Sequence, residues 1–205
     1  YLQDFDIGKA VLSRIKKAEL KTSQQDLFLL LTERYPNALC FSFDSPSLGK
    51  WIGATPETLI KIDHQKGATM SLAGTKSADD ITSWGEKEIH EQQLVTDFIQ
   101  EKLMVSCEKV IVSERNELIA GPVKHLVNHF NFEVATEKQW SLIKELHPTP
   151  AVSGFPRADA LRCISNFEPH NRFLYAGIIG IKSRVKTHLF VTLRSAQIIE
   201  KDLFV

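Results

Sequence analysis

Apolar positions along this chain recur at two spacings, and the changes from one to the other mark its predicted elements. From Ala10 to Ile15 neighbouring residues alternate between two faces (Val11, Ser13 and Ile15 against Leu12 and Arg14), which predicts a strand. Ser23 is placed to cap a helix from Gln24 to about Arg34, with Leu27, Leu30 and Leu31 at helical spacing and Tyr35-Pro36-Asn37 as its breaker. Ala38 to Phe43 and Trp51 to Ile62 read as strands joined by a polar Pro/Gly turn, and Thr69 to Gly74 as another. The longest helical pattern runs from Asp79 to Val105, with a stripe of Ile89, Leu94, Val95, Phe98, Ile99 and Leu103. Val110 to Ser113, Leu118 to Ile119 and Phe130 to Val134 are strand-like, and helices are predicted over Glu137 to Leu146 and Arg157 to Phe167. Phe173 to Ile181, His188 to Leu193 and Ala196 to Ile199 close the chain as an antiparallel set. Strands and helices come in groups, not in regular alternation, so the expected class is α+β with largely antiparallel sheets and helices packed on them. Without a repeat, a low-complexity tract or a convincing linker, residues 1–205 read as a single domain.

Between the last two helices lies Leu146-His147-Pro148-Thr149-Pro150-Ala151-Val152-Ser153-Gly154-Phe155-Pro156. Its prolines and glycine forbid helix interior and central strand, so it is a shaped loop. Its side chains are small or apolar, unlike those of a solvated linker, and Pro156 suits a first helical turn. Such a loop could wall a pocket and leave backbone N–H groups for an anion, or could be a plain structural turn.

Composition narrows the classes. The chain of 205 residues has 43% hydrophobic and 24% charged residues, ordinary for a globular protein with a sizeable core. Its 25 basic and 25 acidic residues cancel, so no global field attracts nucleic acid or a membrane surface, and any anion site must be local. Cys40, Cys107 and Cys163 are far apart and in no metal-binding pattern, which predicts reduced thiols and a cytoplasmic location. No apolar run reaches spanning length and the start lacks signal-peptide character. Tyr1 opens the chain without methionine and Val205 ends it inside a strand-like pattern, so the domain reads as incomplete at both ends. A monomer is expected.

Leu146 to Pro156 resembles the LHPTPA-x-x-G-x-P signature of isochorismate synthases, members of the chorismate-utilising family with anthranilate, aminodeoxychorismate and salicylate synthases. Further matches follow in family order from Lys9 to Arg194. Lys9-Ala10-Val11-Leu12-Ser13-Arg14 is similar to K-x-V-L-S/A-R, whose lysine is the general base that activates water; anthranilate synthases lack it. Read without the resemblance, such a lysine snorkels to solvent. Glu57, in Gly53-Ala54-Thr55-Pro56-Glu57-Thr58-Leu59, is similar to the general acid that protonates the leaving C4 hydroxyl. That role needs a carboxyl still protonated near neutral pH, whereas a Pro-Glu pair alone is often a turn start in water. Ser71-Leu72-Ala73-Gly74-Thr75 matches L-A-G-T, which implies that Gly74 and Thr75 line a chorismate pocket; a strand-end turn is the other reading.

Glu88 and Glu91 share one face of the long helix, most often simply a solvated face. Lys87 to Val95 resembles K-x-x-x-E-H/x-x-L-V, which implies Mg²⁺ at Glu91, with Glu88 acting through water. Gln92 replaces a histidine common in relatives and reads as a difference around the metal. His125-Leu126 resembles the family's H-L segment, though a satisfied surface or core histidine stays open. Glu168, Arg172 and Tyr175-Ala176-Gly177 resemble E-x-x-x-R-x-x-Y-A-G, and Arg194 ends a strand similar to T-x-R-x-A. The resemblance assigns Arg194 and Tyr175 to a substrate carboxylate, with Thr149, Ala151 and Val152 against the ring. A salt bridge from Arg194 to a protein carboxylate is the bland alternative. The implied activity is Mg²⁺-dependent isomerisation of chorismate to isochorismate, an intramolecular hydroxyl transfer serving menaquinone or siderophore biosynthesis. Salicylate synthase, an amine-adding relative, or a non-catalytic chorismate-binding relative are the alternatives. The family's fold also continues beyond the matched region into a helix with a second metal-binding glutamate.

Overall fold

The computed structural model describes residues 7–205. Its elements are β1 (Lys9–Ala10), β2 (Lys17–Glu19), α1 (Gln24–Arg34), β3 (Leu39–Ser45), β4 (Gly49–Thr55), β5 (Thr58–Asp63) and β6 (Lys66–Ser77). Then come α2 (Glu86–Ser106), β7 (Glu108–Val112), β8 (Asn116–Ala120), β9 (Val123–Glu133), α3 (Gln139–Leu146), β10 (Gly154–Phe155) and α4 (Arg157–Phe167). The chain closes with β11 (Ile178–Lys182), β12 (Lys186–Val191), β13 (Ser195–Ile199) and β14 (Asp202–Phe204). Every strand pairing is antiparallel. This is the expected α+β architecture.

A seven-stranded sheet runs β11-β12-β5-β6-β9-β7, with β8 also on β9, and a five-stranded sheet runs β2-β14-β13-β4-β3. The main core lies where α2 and α3 cover the larger sheet, with Val95, Ile99, Phe130, Leu142 and Ile143 almost fully buried. Helix α1 covers the smaller sheet through Leu27, Phe28 and Leu31 against Ile52 and Ile198. Ser23 caps α1 as expected, accepting from the Asp26 N–H.

The two sheets share a corner, and the site is built there. The chain of β4 and β5 crosses from the small sheet to the large one at Pro56-Glu57. The chain of β12 and β13 crosses beside it at Thr192–Arg194. Thr55 Oγ1 donates to the Val191 carbonyl at 2.5 Å, and the Val191 N–H to the Glu57 carbonyl at 3.0 Å. Corners of this kind need a bend where each strand changes sheet. Pro56, which has no N–H, and Arg194, with φ 48, supply it.

Four expectations are corrected by this arrangement. Trp51 to Ile62 is two strands, because the apolar pattern continues through the corner while the pairing does not. Of Ala10 to Ile15 only Ala10 is paired; with Lys9 it forms a two-residue arm against β10. The long helix begins at Glu86, seven residues later than its pattern, and Ile89 is 37% exposed while Gln92 is fully buried. Phe173 to Gly177 is a turn leading into β11, and Phe173 and Ala176 have left-handed backbone. Gly154, with φ 120, lets β1 and β10 approach: a Cβ there would meet the Lys9 carbonyl oxygen at 2.1 Å. Gly154→Ala is expected to cost about 2–4 kcal/mol and to displace Lys9, checked by denaturant melts and activity on the same preparation.

Candidate active site

Glu57 emerges at the corner and is 3% exposed. Burial raises its carboxyl to about 7, opposed by a hydrogen bond from Thr149 and by the charge of Lys9. The Thr149 bond to Oε1 is long, 3.5 Å, and Thr149 is itself buried. Glu57 therefore has the environment of a carboxylic acid that can donate a proton near neutrality.

Lys9 is delivered by the arm, opposite Phe155 of the proline loop. Its side chain is 12% exposed and its Nζ lies 2.8 Å from Glu91 Oε1 on α2. That ion pair is its only polar contact among the described residues. A lysine so enclosed does not snorkel into water.

The opposite wall comes from the β6–β9 pair. Strand β6 bulges between Ala73 and Thr75 at Gly74, whose φ of 69 and missing Cβ admit the backbone of Glu88. Across the pair, His125 Nδ1 lies 3.1 Å from both the Gly74 carbonyl and Thr75 Oγ1. Its Nε2 faces Arg194 Nη2 at 2.8 Å. A guanidinium cannot accept, so Nε2 accepts and Nδ1 carries the proton. Burial, first, and Arg194 hold this imidazole below its ordinary pKa, against the Gly74 carbonyl. Arg194 also donates to the Ala120 carbonyl at 2.9 Å, so its fork is held by neutral acceptors and its charge stays uncompensated. Among the described residues Arg194 makes no salt bridge to a carboxylate.

These groups enclose a cavity of about 290 Å³, lined by Glu57, Gly74, Thr75, Glu91, His125, Ala151, Tyr175 and Arg194. The remaining candidates lie outside this lining, Lys9 among them: it meets the cavity through its ion pair with Glu91. Thr149 sits behind Glu57. Val152 is 2% exposed in the main core. The Glu88 carboxylate points back toward Gly85 at the start of α2, because its Cβ is packed on Gly74. Gln92 lies away from the metal candidates: its amide binds Ser71, Thr96 and Asn128, and its carbonyl accepts from Arg115. Pro56 and Leu193 line the cavity without having been singled out; the alternation around Arg194 marks Leu193 only once the corner is known. A larger apolar cavity of about 560 Å³ lies on the other side of Tyr175, walled by Leu12, Ile15, Trp51 and Phe173. Its lining holds no acidic side chain.

Two acidic side chains line the cavity, and with Glu57 raised to about 7 it is Glu91 that offers a carboxylate to Mg²⁺; among the described residues there is no group of three or more metal-ligating side chains. This fits an ion that keeps waters and binds through a substrate oxygen, with Glu91 as the contribution of these residues. No helix among the described residues is long and apolar enough to cross a membrane.

The family described as chorismate binding enzyme matches residues 2–205. The isochorismate synthase EntC of Escherichia coli is 30% identical over 96% of this chain and 54% of its own length. Anthranilate synthase component 1 of Aquifex aeolicus is 24% identical over 100% of this chain and 44% of its own. A crystal structure from Bacillus anthracis, DhbC, described as a 2,3-dihydroxybenzoate-specific isochorismate synthase, superposes with a TM-score of 0.89. It is 26% identical, and the match covers 100% of this chain and 60% of that one. The chain thus spans about half the length of the curated relatives it matches. With a match across nearly its whole length, this chain belongs to the chorismate-binding enzyme family.

Proposed function

We propose that this chain carries the active site of an isochorismate synthase, which adds water at C2 of chorismate and expels the C4 hydroxyl. The observation that carries the reading is an enclosed lysine, Lys9, near a cavity whose acid, Glu57, is raised to about 7. Lys9 takes a proton from water as its oxygen bonds to C2. The ring double bonds shift, and the C4 oxygen leaves as water with the proton from Glu57, so the net change is isomerisation. Arg194, its charge uncompensated, and Tyr175 bind a substrate carboxylate, while His125 and Thr75 shape the wall beside them. Bound Mg²⁺, held by Glu91, would neutralise and orient a substrate carboxylate. The three cysteines are free, in accord with a cytoplasmic setting.

The test is product analysis after incubating the protein with chorismate and Mg²⁺, with and without chelator and ammonium. A chorismate–isochorismate equilibrium that chelator abolishes is the expected result. Salicylate with pyruvate, or an aminated product, would overturn it in favour of a sister activity. The match to anthranilate synthase makes amination the specific second reading, and Lys9 weighs against it. Chorismate binding without turnover would indicate a non-catalytic relative.

A further inference from the structure

We propose that Glu168 and Arg172 are positioning residues that aim Lys9 into the site; this rests on Lys9 being the base. The arm that bears Lys9 is paired with β10 over two residues only, and the chain from Val11 to Lys16 belongs to neither sheet. Glu91 holds the head of this lysine, and on so short an arm its backbone needs restraints as well. Those restraints converge on one ion pair. Arg172 Nε donates to Glu168 Oε2 at 2.8 Å, and Nη2 donates to Oε1. The other side of the same guanidinium bridges two segments: Nη1 donates to the Val152 carbonyl at 2.9 Å, and Nη2 to the Val11 carbonyl at 2.7 Å. Glu168 Oε1 accepts the Ser13 N–H at 2.6 Å, and His170 Nε2 lies 2.9 Å from Ser13 Oγ.

The pair thus pins the chain on the far side of Lys9 at Val11 and Ser13, and ties it to the loop that also supplies Ala151 and Thr149. The guanidinium lies over the ring of Tyr175, 5.6 Å from its centroid, a cation–ring contact that a lysine in its place also makes. The Glu168 side chain is 4% exposed and that of Arg172 17%. A buried ion pair is a weak source of stability, since desolvation offsets most of the attraction. Its planar fork fixes three segments in one geometry, which an ammonium or an apolar pair cannot do.

Arg172→Lys keeps the charge and loses the fork. It is expected to lower kcat about 10–100-fold with KM for chorismate within about twofold, because only the aim of the base changes. In a Lys9→Gln background, where no base remains to aim, the same substitution should leave the residual rate unchanged. A purely structural role would instead lower the rate by the same factor in both backgrounds, and that result would overturn the inference. Unchanged kcat in Arg172→Lys, alongside a Lys9→Gln variant that is impaired, would also overturn it while leaving Lys9 as the base. A fully active Lys9→Gln would remove the base itself, and the inference with it. Should Arg172→Lys fail to fold, Ser13→Pro deletes the N–H that Glu168 accepts, with Ser13→Ala as the control for the hydroxyl lost beside His170, and it carries the same expectations.

Discussion

Lys9→Gln is expected to reduce turnover of chorismate about 10²–10⁴-fold, the usual worth of a positioned general base, with little change in substrate affinity. Glutamine keeps the length of the side chain to within an atom and packs into the same enclosed slot, but it cannot take a proton from water. The loss should therefore appear in kcat. Incorporation of labelled oxygen from solvent water at C2, followed by mass spectrometry, isolates the step: it should vanish with the lysine. The substitution also has an electrostatic signature. Lys9 is one of the influences that lower the Glu57 carboxyl from where burial alone would put it. Without that charge, the pH at which Glu57 loses its proton should move upward. A variant that exchanges oxygen at the wild-type rate would remove Lys9 from the mechanism.

Glu57→Gln should separate activity from stability in opposite directions. Turnover should fall about 10²–10⁴-fold, because an amide cannot protonate the departing C4 oxygen. Stability should move the other way. In the folded chain this carboxyl titrates at about 7, against its ordinary 4.5. Between these values the folded state holds a proton that the unfolded chain has released. Stability associated with Glu57 is therefore fully present below about pH 4.5 and is lost as pH rises through about 7. A shift of this size corresponds to roughly 3 kcal/mol above neutrality. Replacing the glutamate by its neutral isostere should recover most of that amount at pH 8 and little at pH 4. Urea melts at the two pH values check this. Equal stability changes at both would show that Glu57 is not held protonated.

How much of this was legible before the fold depends on the range of each interaction. Helix α1 was readable to the residue, because its Ser23 cap and its leucine spacing are local. Helix α4 was equally readable from the residues after Pro156. The corner was not, since Trp51 to Thr55 and Thr58 to Ile62 have the same apolar character, and only the change of partners separates them. On α2 the stripe faces the core at Val95, Phe98, Ile99 and Leu103 and departs at Ile89, while hydrophobicity cannot identify Gln92, a polar side chain buried fully by satisfying its amide on Ser71, Thr96 and Asn128. At the site, local patterns around Lys9, Glu57, Gly74 and Glu91 each left two readings open. The resemblance raised them together, and the structure brings Glu57, Gly74 and Glu91 around one cavity with Lys9 behind Glu91, whereas Glu88 shares a helix face with Glu91 yet turns away, because the Gly74 bulge occupies its base. The acceptors of Arg194 were beyond reach, being a carbonyl and an imidazole that only tertiary contact supplies.

The short arm carrying Lys9 sits outside both sheets, held by its pairing with β10, a bond from the Val11 N–H to the Ser153 carbonyl, the Lys9–Glu91 ion pair and the clamp at Glu168 and Arg172. What it presents toward the site is a single side chain that pairs with Glu91 and belongs to neither the two large sheets nor the main core. The scaffold consequently separates inheritance of shape from inheritance of reaction. On the proposed reading, the corner, Glu57 and Arg194 can persist through descent while the group that takes the proton from water changes with one codon at the arm.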